Sequence, residues 1–244
     1  MIDLFACQQL ARPSETNQGK QMARGGTRGV PGPAQREDRM NRPMPPHETL
    51  GNSAEPVFAP APELIAWARE TFIDEGAPLL NEDHRHLRWA NIGALWTNVP
   101  NGHAGRRIVG QCEMGLPPTG KWGRARIERQ LLDWFGEVPT FLLTFDAEYA
   151  SSCSDAQFMA LVEHELYHAG QERDAFGAPR FSKKTGKPIY GIRGHDVEEF
   201  VGVVRRYGAS AAHIEELVAA ANADPEIARV EIARACGTCQ LRAA

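Results

Sequence analysis

Apolar residues recur at helical spacing through "PELIAWARETFIDEG", residues 62–76, where Leu64, Ile65, Ala68 and Phe72 share a face. That period predicts a helix, and Pro62 suits its first turn. The pattern then changes. "NIGALWTNV" (91–99) and "RRIVGQCEMGL" (106–116) are strand-like runs on either side of "PNGHAG", and Asn-Gly between such runs predicts a hairpin with a longer loop. "KWGRARIERQLLDWFG" (121–136) reads as a helix that stops at Gly136. Its arginines, Arg124, Arg126 and Arg129, read as a solvated face. "VPTFLLTFD" (138–146) is nearly continuous in apolar residues, the mark of a buried strand.

The next helix carries the chemistry. Ser154 and Gln157 have capping-box spacing, and Phe158, Leu161, Val162, Leu166 and Ala169 supply an apolar face. Gly170 stands near its expected end. Within it lies His-Glu-x-x-His: His164, Glu165 and His168. Residues four apart on a helix lie one above the other, so both imidazoles can reach one ion. Glu165 is one residue round, placed to hold a water and take its proton rather than to bind the ion. An ordinary wet helix face would explain the polar residues but not this combination.

A catalytic zinc site needs a third protein ligand and an open position. "IYGIRGHDVEEFVGVVRRYG" (189–208) offers one. Val197, Phe200, Val201, Val204 and Tyr207 predict a further amphipathic helix, with His195 at its entrance and Asp196 as N-cap. His195 is favoured as the ligand, with Glu198 and Glu199 as competing carboxylates. Asp196, Glu198 and Glu199 are also candidates for orienting a ligand histidine. Tyr167, Tyr190 and Arg193 are candidates for steadying an oxyanion.

Composition sets the frame around this core. The chain has 244 residues and a formal charge of −4, which gives no ground for a nucleic-acid-binding surface over the whole molecule. Residues 12–56 are rich in Pro, Gly, Ser and charge and nearly lack large apolar residues, so disorder is expected before about residue 56. No run approaches the length of a membrane span, and the first residues lack the pattern of a signal peptide. Five cysteines, mostly far apart, do not read as a disulfide framework and suit a reducing cytoplasm. Cys236 and Cys239 form a lone C-x-x-C, a weak metal signal. "SAAHIEELVAAANADPEIARVEIARA" reads as two short helices broken before Pro225, with His213 exposed.

"LLTFDAEYASSCSDAQFMALVEHELYHAG" followed by "YGIRGHDVEEFVGVVRRYG" resembles the family described as putative phage metallopeptidases, itself similar to SprT-like zincins. The resemblance covers roughly residues 60–210. It implies an α+β, zincin-like fold, with a small mixed β-sheet packed against the active-site helix and further helices. It also implies zinc on His164, His168 and His195, with Glu165 as general base. The organisation expected is a tail over 1–56, a metallopeptidase domain over 57–210 and a helical extension over 211–244. The activity expected is zinc-dependent hydrolysis of peptide bonds on a protein or peptide substrate, through a zinc-activated water. The location expected is the cytoplasm of a bacterial host, from a phage or prophage gene. The alternative is a non-catalytic, zinc-stabilised interaction module, associated with nucleic acid or a virion component. Glu165 separates the two, because a structural site has no use for it.

Overall fold

A computed structural model describes residues 41–51, 55–103, 106–197, 204–206, 208–210 and 214–227. The expected α+β architecture is present. Strand β1 (Phe58–Pro60) leads into helix α1 (Pro62–Ala68), which continues as a wider π-type turn over Arg69–Ile73. A 3-10 segment, Glu82–Trp89, precedes β2 (Ile92–Thr97). A small ribbon follows, β3 (Asn101–His103) with β4 (Arg106–Ile108), and then β5 (Gly110–Met114). Helix α2 spans Lys121–Phe135 and ends, as expected, on Gly136, whose φ of 75° is a left-handed conformation suited to glycine. Strand β6 (Phe141–Asp146), a short helix α3 (Ala147–Ser152) and the motif helix α4 (Asp155–His168) come next. Strands β7 (Ala169–Gln171) and β8 (Tyr190–Ile192) pair as a hairpin, and α5 spans Glu215–Asn222.

The main sheet runs β1-β2-β6-β5. β6 is central, parallel to β2 and antiparallel to β5. This corrects the hairpin expected between 91–99 and 106–116: those runs do not pair with each other, because β6 lies between them. The reason is β6's apolar character on both faces. Phe141, Leu143 and Phe145 are fully buried on one face and Leu142 and Thr144 half-buried on the other. A strand that is unfavourable at an edge takes the middle, where both of its hydrogen-bonding rims are filled. Only the tip of the expected hairpin survives, as the β3–β4 ribbon, and Asn101 and Gly102 sit inside β3.

Helix α4 packs on the β6 face that presents Phe141, Leu143 and Phe145. Its Phe158 stacks on Trp96 of β2 at 5.7 Å between centroids and lies 5.9 Å from Phe145. Phe158, Trp96 and Phe145 are fully buried. Each such side chain contributes about 1.5–3 kcal/mol by leaving water, so this cluster fixes the first half of α4 on the sheet.

Part of the stretch assigned by composition to the tail is packed. Arg42 is 8% exposed. It donates to the Ala150 carbonyl (2.8 Å), the Cys153 carbonyl (2.9 Å) and Asp155 Oδ1 (2.6 Å), and its guanidinium lies over the Phe158 ring at 4.9 Å. Those carbonyls belong to the end of α3, where no intrahelical donor remains. One arginine thus closes the corner between α3 and α4. Residues 1–40 and the Cys236–Cys239 pair lie outside the described residues, as does His213. Of the helix expected over 197–207, Val204–Arg206 is helical and 198–203 and 207 lie outside the description. No helix among the described residues is long and apolar enough to cross a membrane.

Candidate metal centre

Helix α4 starts as the sequence indicates. The Ser154 hydroxyl accepts from the Gln157 N–H (3.3 Å) and the Gln157 side chain accepts from the Ser154 N–H (3.0 Å). Asp146 caps α3 just before it, accepting from the Tyr149 N–H at 3.0 Å. The motif therefore sits on a helix fixed at its start by caps and Arg42, and along its length by aromatic packing.

At the far end of α4 the helix passes directly into β7, and Arg193, just after β8, returns alongside it. The Arg193 N–H donates to the His168 carbonyl (3.0 Å), and His168 Nδ1 donates to the Arg193 carbonyl (2.7 Å). A carbonyl only accepts, so Nδ1 carries the proton. In the neutral ring Nε2 is then left with a lone pair directed at the neighbouring histidines. His164 Nε2 lies 3.2 Å from His168 Nε2 and 3.3 Å from His195 Nε2. The three rings each offer one nitrogen, all within 4.8 Å of one another. His168 is 2% exposed, His164 is half-buried and His195 is exposed, so the cluster opens to solvent on the His195 side.

The residues fit a metal ion held by imidazole. Four ligands at ~2.0–2.1 Å in a tetrahedron lie about 3.3–3.4 Å apart along each edge, close to the two measured nitrogen–nitrogen separations. Among the described residues the cluster comprises these three histidines. Glu198 and Glu199, the competing carboxylates, fall outside the description.

Glu165, next to His164 in the chain, is fully buried between α4 and the sheet. Its carboxylate lies against the backbone of Gly110 in β5. A Cβ built on Gly110 would stand 2.7 Å from Glu165 Oε1 and 2.9 Å from Leu161 Cδ1. Gly110 is thus a place of close approach, a reading that an isolated glycine in a strand-like run permits. Gly170 has a similar part. It lies just past the end of the helix, as expected, and within β7, where a Cβ would meet Arg193 Cβ at 3.0 Å and the Gly191 carbonyl at 3.1 Å.

The three candidates for an oxyanion are engaged elsewhere. The Tyr190 hydroxyl donates to the His86 carbonyl (3.5 Å), and its ring packs edge-on against Phe141. The Tyr167 hydroxyl accepts from Asn81 (2.8 Å) and donates to Asp83 (3.4 Å). Arg193 lies over the Tyr167 ring at 5.5 Å and donates to Asp196 at 2.7 Å. Behind Arg193 and Tyr167 is a cavity of about 490 Å³, also lined by His86, Trp89 and Phe181. His86 Nε2 donates to the Ala169 carbonyl at 2.7 Å, tying the 3-10 segment to the end of α4. Burial pulls the His86 pKa below its ordinary value, against the pull of that carbonyl.

The fold and this cluster define a class: an α+β protein whose sheet-backed helix and following hairpin gather three imidazoles in an arrangement suited to a metal ion. The chain belongs to the family described as putative phage metallopeptidase, whose model matches residues 65–222. Comparison with curated proteins and with solved structures returns no match.

Proposed function

We propose that the protein is a zinc-dependent peptidase in which His164, His168 and His195 hold the ion and Glu165 is the general base. The observation that carries this reading is the convergence of the three imidazole nitrogens at 3.2 and 3.3 Å, one residue away from a fully buried carboxylate. Zinc bound there would supply Lewis acidity toward a carbonyl oxygen and acidify a nearby water. The chain's own groups do the rest. The Glu165 carboxylate takes the proton of the attacking water and passes it to the departing amide nitrogen. Gly110 and Leu161 hold that carboxylate in one place. His168, proton on Nδ1, keeps Nε2 available as a ligand through the Arg193 carbonyl. The exposed side of His195 is where an extended protein or peptide segment enters.

The working domain spans residues 57–210, together with the packed stretch around Arg42, and 211–244 is an extension to it. The family's phage association supports action in the cytoplasm of a bacterial host. The non-catalytic alternative calls for a closed set of four ligands and leaves Glu165 without a purpose.

Elemental analysis of the purified protein and its variants tests the ligand set. The wild type should carry about one zinc per chain. His168→Ala should lose it, and His195→Ala should weaken binding far more than Glu198→Ala or Glu199→Ala. Unchanged zinc in His168→Ala would sink the proposal, and a dominant effect of either glutamate would replace His195 as third ligand.

A further inference from the structure

His164 and His168 are held by a helix, but His195 follows a two-stranded hairpin and sits on an exposed loop. A loop ligand needs something to fix it before an ion arrives, or each binding event must bear the entropy of ordering it. The structure supplies one residue that reaches every relevant part. The Arg193 backbone is bonded twice to His168, through its N–H at 3.0 Å and its carbonyl at 2.7 Å. Its Cβ packs where Gly170 leaves room, 3.0 Å from the place a Cβ at 170 would occupy. Its guanidinium lies over the Tyr167 ring, 5.5 Å from the centroid, and donates to Asp196 Oδ1 at 2.7 Å. Tyr167 in turn is held by Asn81 and Asp83.

The Arg193–Asp196 bridge closes a four-residue loop, and His195 is inside it. Its two ends are thereby tied to α4: one through the Arg193 backbone on His168, the other through a guanidinium resting on Tyr167. We propose that Arg193 is a positioning residue that sets His195 against His164 through its side chain, with Tyr167 as the platform and Asp196 as the latch. This rests on the reading of the three histidines as metal ligands. It also gives Arg193 a different part from oxyanion stabilisation, since its guanidinium is committed to Tyr167 and Asp196.

The size of the effect follows from exposure. The guanidinium and Asp196 side chains are 43% and 78% exposed, so their pairing is screened by water and salt. Removing a partner that orients a metal ligand costs about 10–100-fold in affinity, and an exposed latch belongs at the lower end. Arg193→Ala should therefore weaken zinc binding about tenfold. Arg193→Lys should recover part of the loss, because it keeps a charge for Asp196 but not the flat group that stacks on Tyr167.

The test is a zinc dissociation constant, read by competition with a chromogenic chelator, for four proteins: wild type, Arg193→Ala, His195→Ala and the double variant. If Arg193 acts through His195, its substitution weakens binding about tenfold in the wild type and less than about twofold once His195 is gone. A purely structural role would give equal losses in both backgrounds, and that result overturns the proposal. Wild-type affinity in Arg193→Ala, beside a weakened His195→Ala, overturns it too while leaving the three-histidine site intact. A wild type that binds no zinc removes both. Should Arg193→Ala fail to fold, Tyr167→Leu takes away the platform, leaves every backbone bond of Arg193 in place, and is read by the same cycle.

Discussion

Gly110→Ala adds one methyl group at the back of the proposed general base. Residue 110 has no left-handed φ to protect, so the whole effect is steric. The added Cβ would lie 2.7 Å from Glu165 Oε1, 3.2 Å from Glu165 Cδ and 2.9 Å from Leu161 Cδ1. Carbon and oxygen in ordinary contact need about 3.5 Å, so the carboxylate must retreat by something like 0.5–1 Å. Its surroundings leave little slack for that retreat, because Glu165 is fully buried and Leu161 is 3% exposed. Overpacking of this kind costs about 1–3 kcal/mol of stability, which for a domain of this size lowers the melting midpoint by about 2–4 °C per kcal/mol. A catalytic group displaced by about 1 Å loses on the order of 10²-fold in rate. The three imidazoles are not in that contact, so zinc content should stay at the wild-type level. The assay is hydrolysis of a peptide substrate beside elemental analysis and a thermal melt. Gly120→Ala is the control, since a Cβ there meets nothing within 4 Å. Full activity in a folded Gly110→Ala protein would refute the argument that this glycine seats the carboxylate.

Arg42→Ala should destabilise the domain by about 2–4 kcal/mol, because two helix-end carbonyls lose a charged donor while the half-exposed Asp155 adds little. A denaturant titration that shows no loss would mean the α3–α4 corner holds without it. Acidification should weaken the fold through His86. Its pKa is lowered in the folded protein, chiefly by burial, so below its ordinary value of 6.5 the unfolded chain binds a proton that the folded one resists. Stability is full above that value and falls as pH drops through it toward the folded pKa. Replacing His86 with Gln should flatten the fall in melting midpoint between about pH 7 and about pH 5, and an unchanged slope would assign the effect to other groups.

The motif helix could be read from the sequence because all of its signals are local. Ser154 with Gln157, the apolar face and the His-Glu-x-x-His spacing all lie between residues 154 and 169, and the structure reproduces the cap, the helix and the shared face of His164 and His168. His195 is different. It comes within 3.3 Å of His164 because β7 and β8 pair, residues 169–171 against 190–192, a contact that no local pattern encodes. Strand order fails for the same reason. The apolar runs announced strands, but only the two-faced burial of β6 decides that it separates β2 from β5. Arg42 has no local signal at all. Its composition is that of a tail, and its value lies in carbonyls more than a hundred residues away. Gly110 carried a faint signal, a glycine within a strand, whose meaning depends on a glutamate 55 positions later.

In the proposed mechanism Glu165 moves a proton and does not hold the ion. Glu165→Gln keeps the size of the side chain and removes its basicity, so the rate of peptide hydrolysis by the zinc-loaded variant is the direct measure. Zinc content should stay at the wild-type level while the rate falls by about 10²–10⁴-fold, the range for a lost general base. A zinc-loaded Glu165→Gln protein that cleaves the same peptide at the wild-type rate would contradict it.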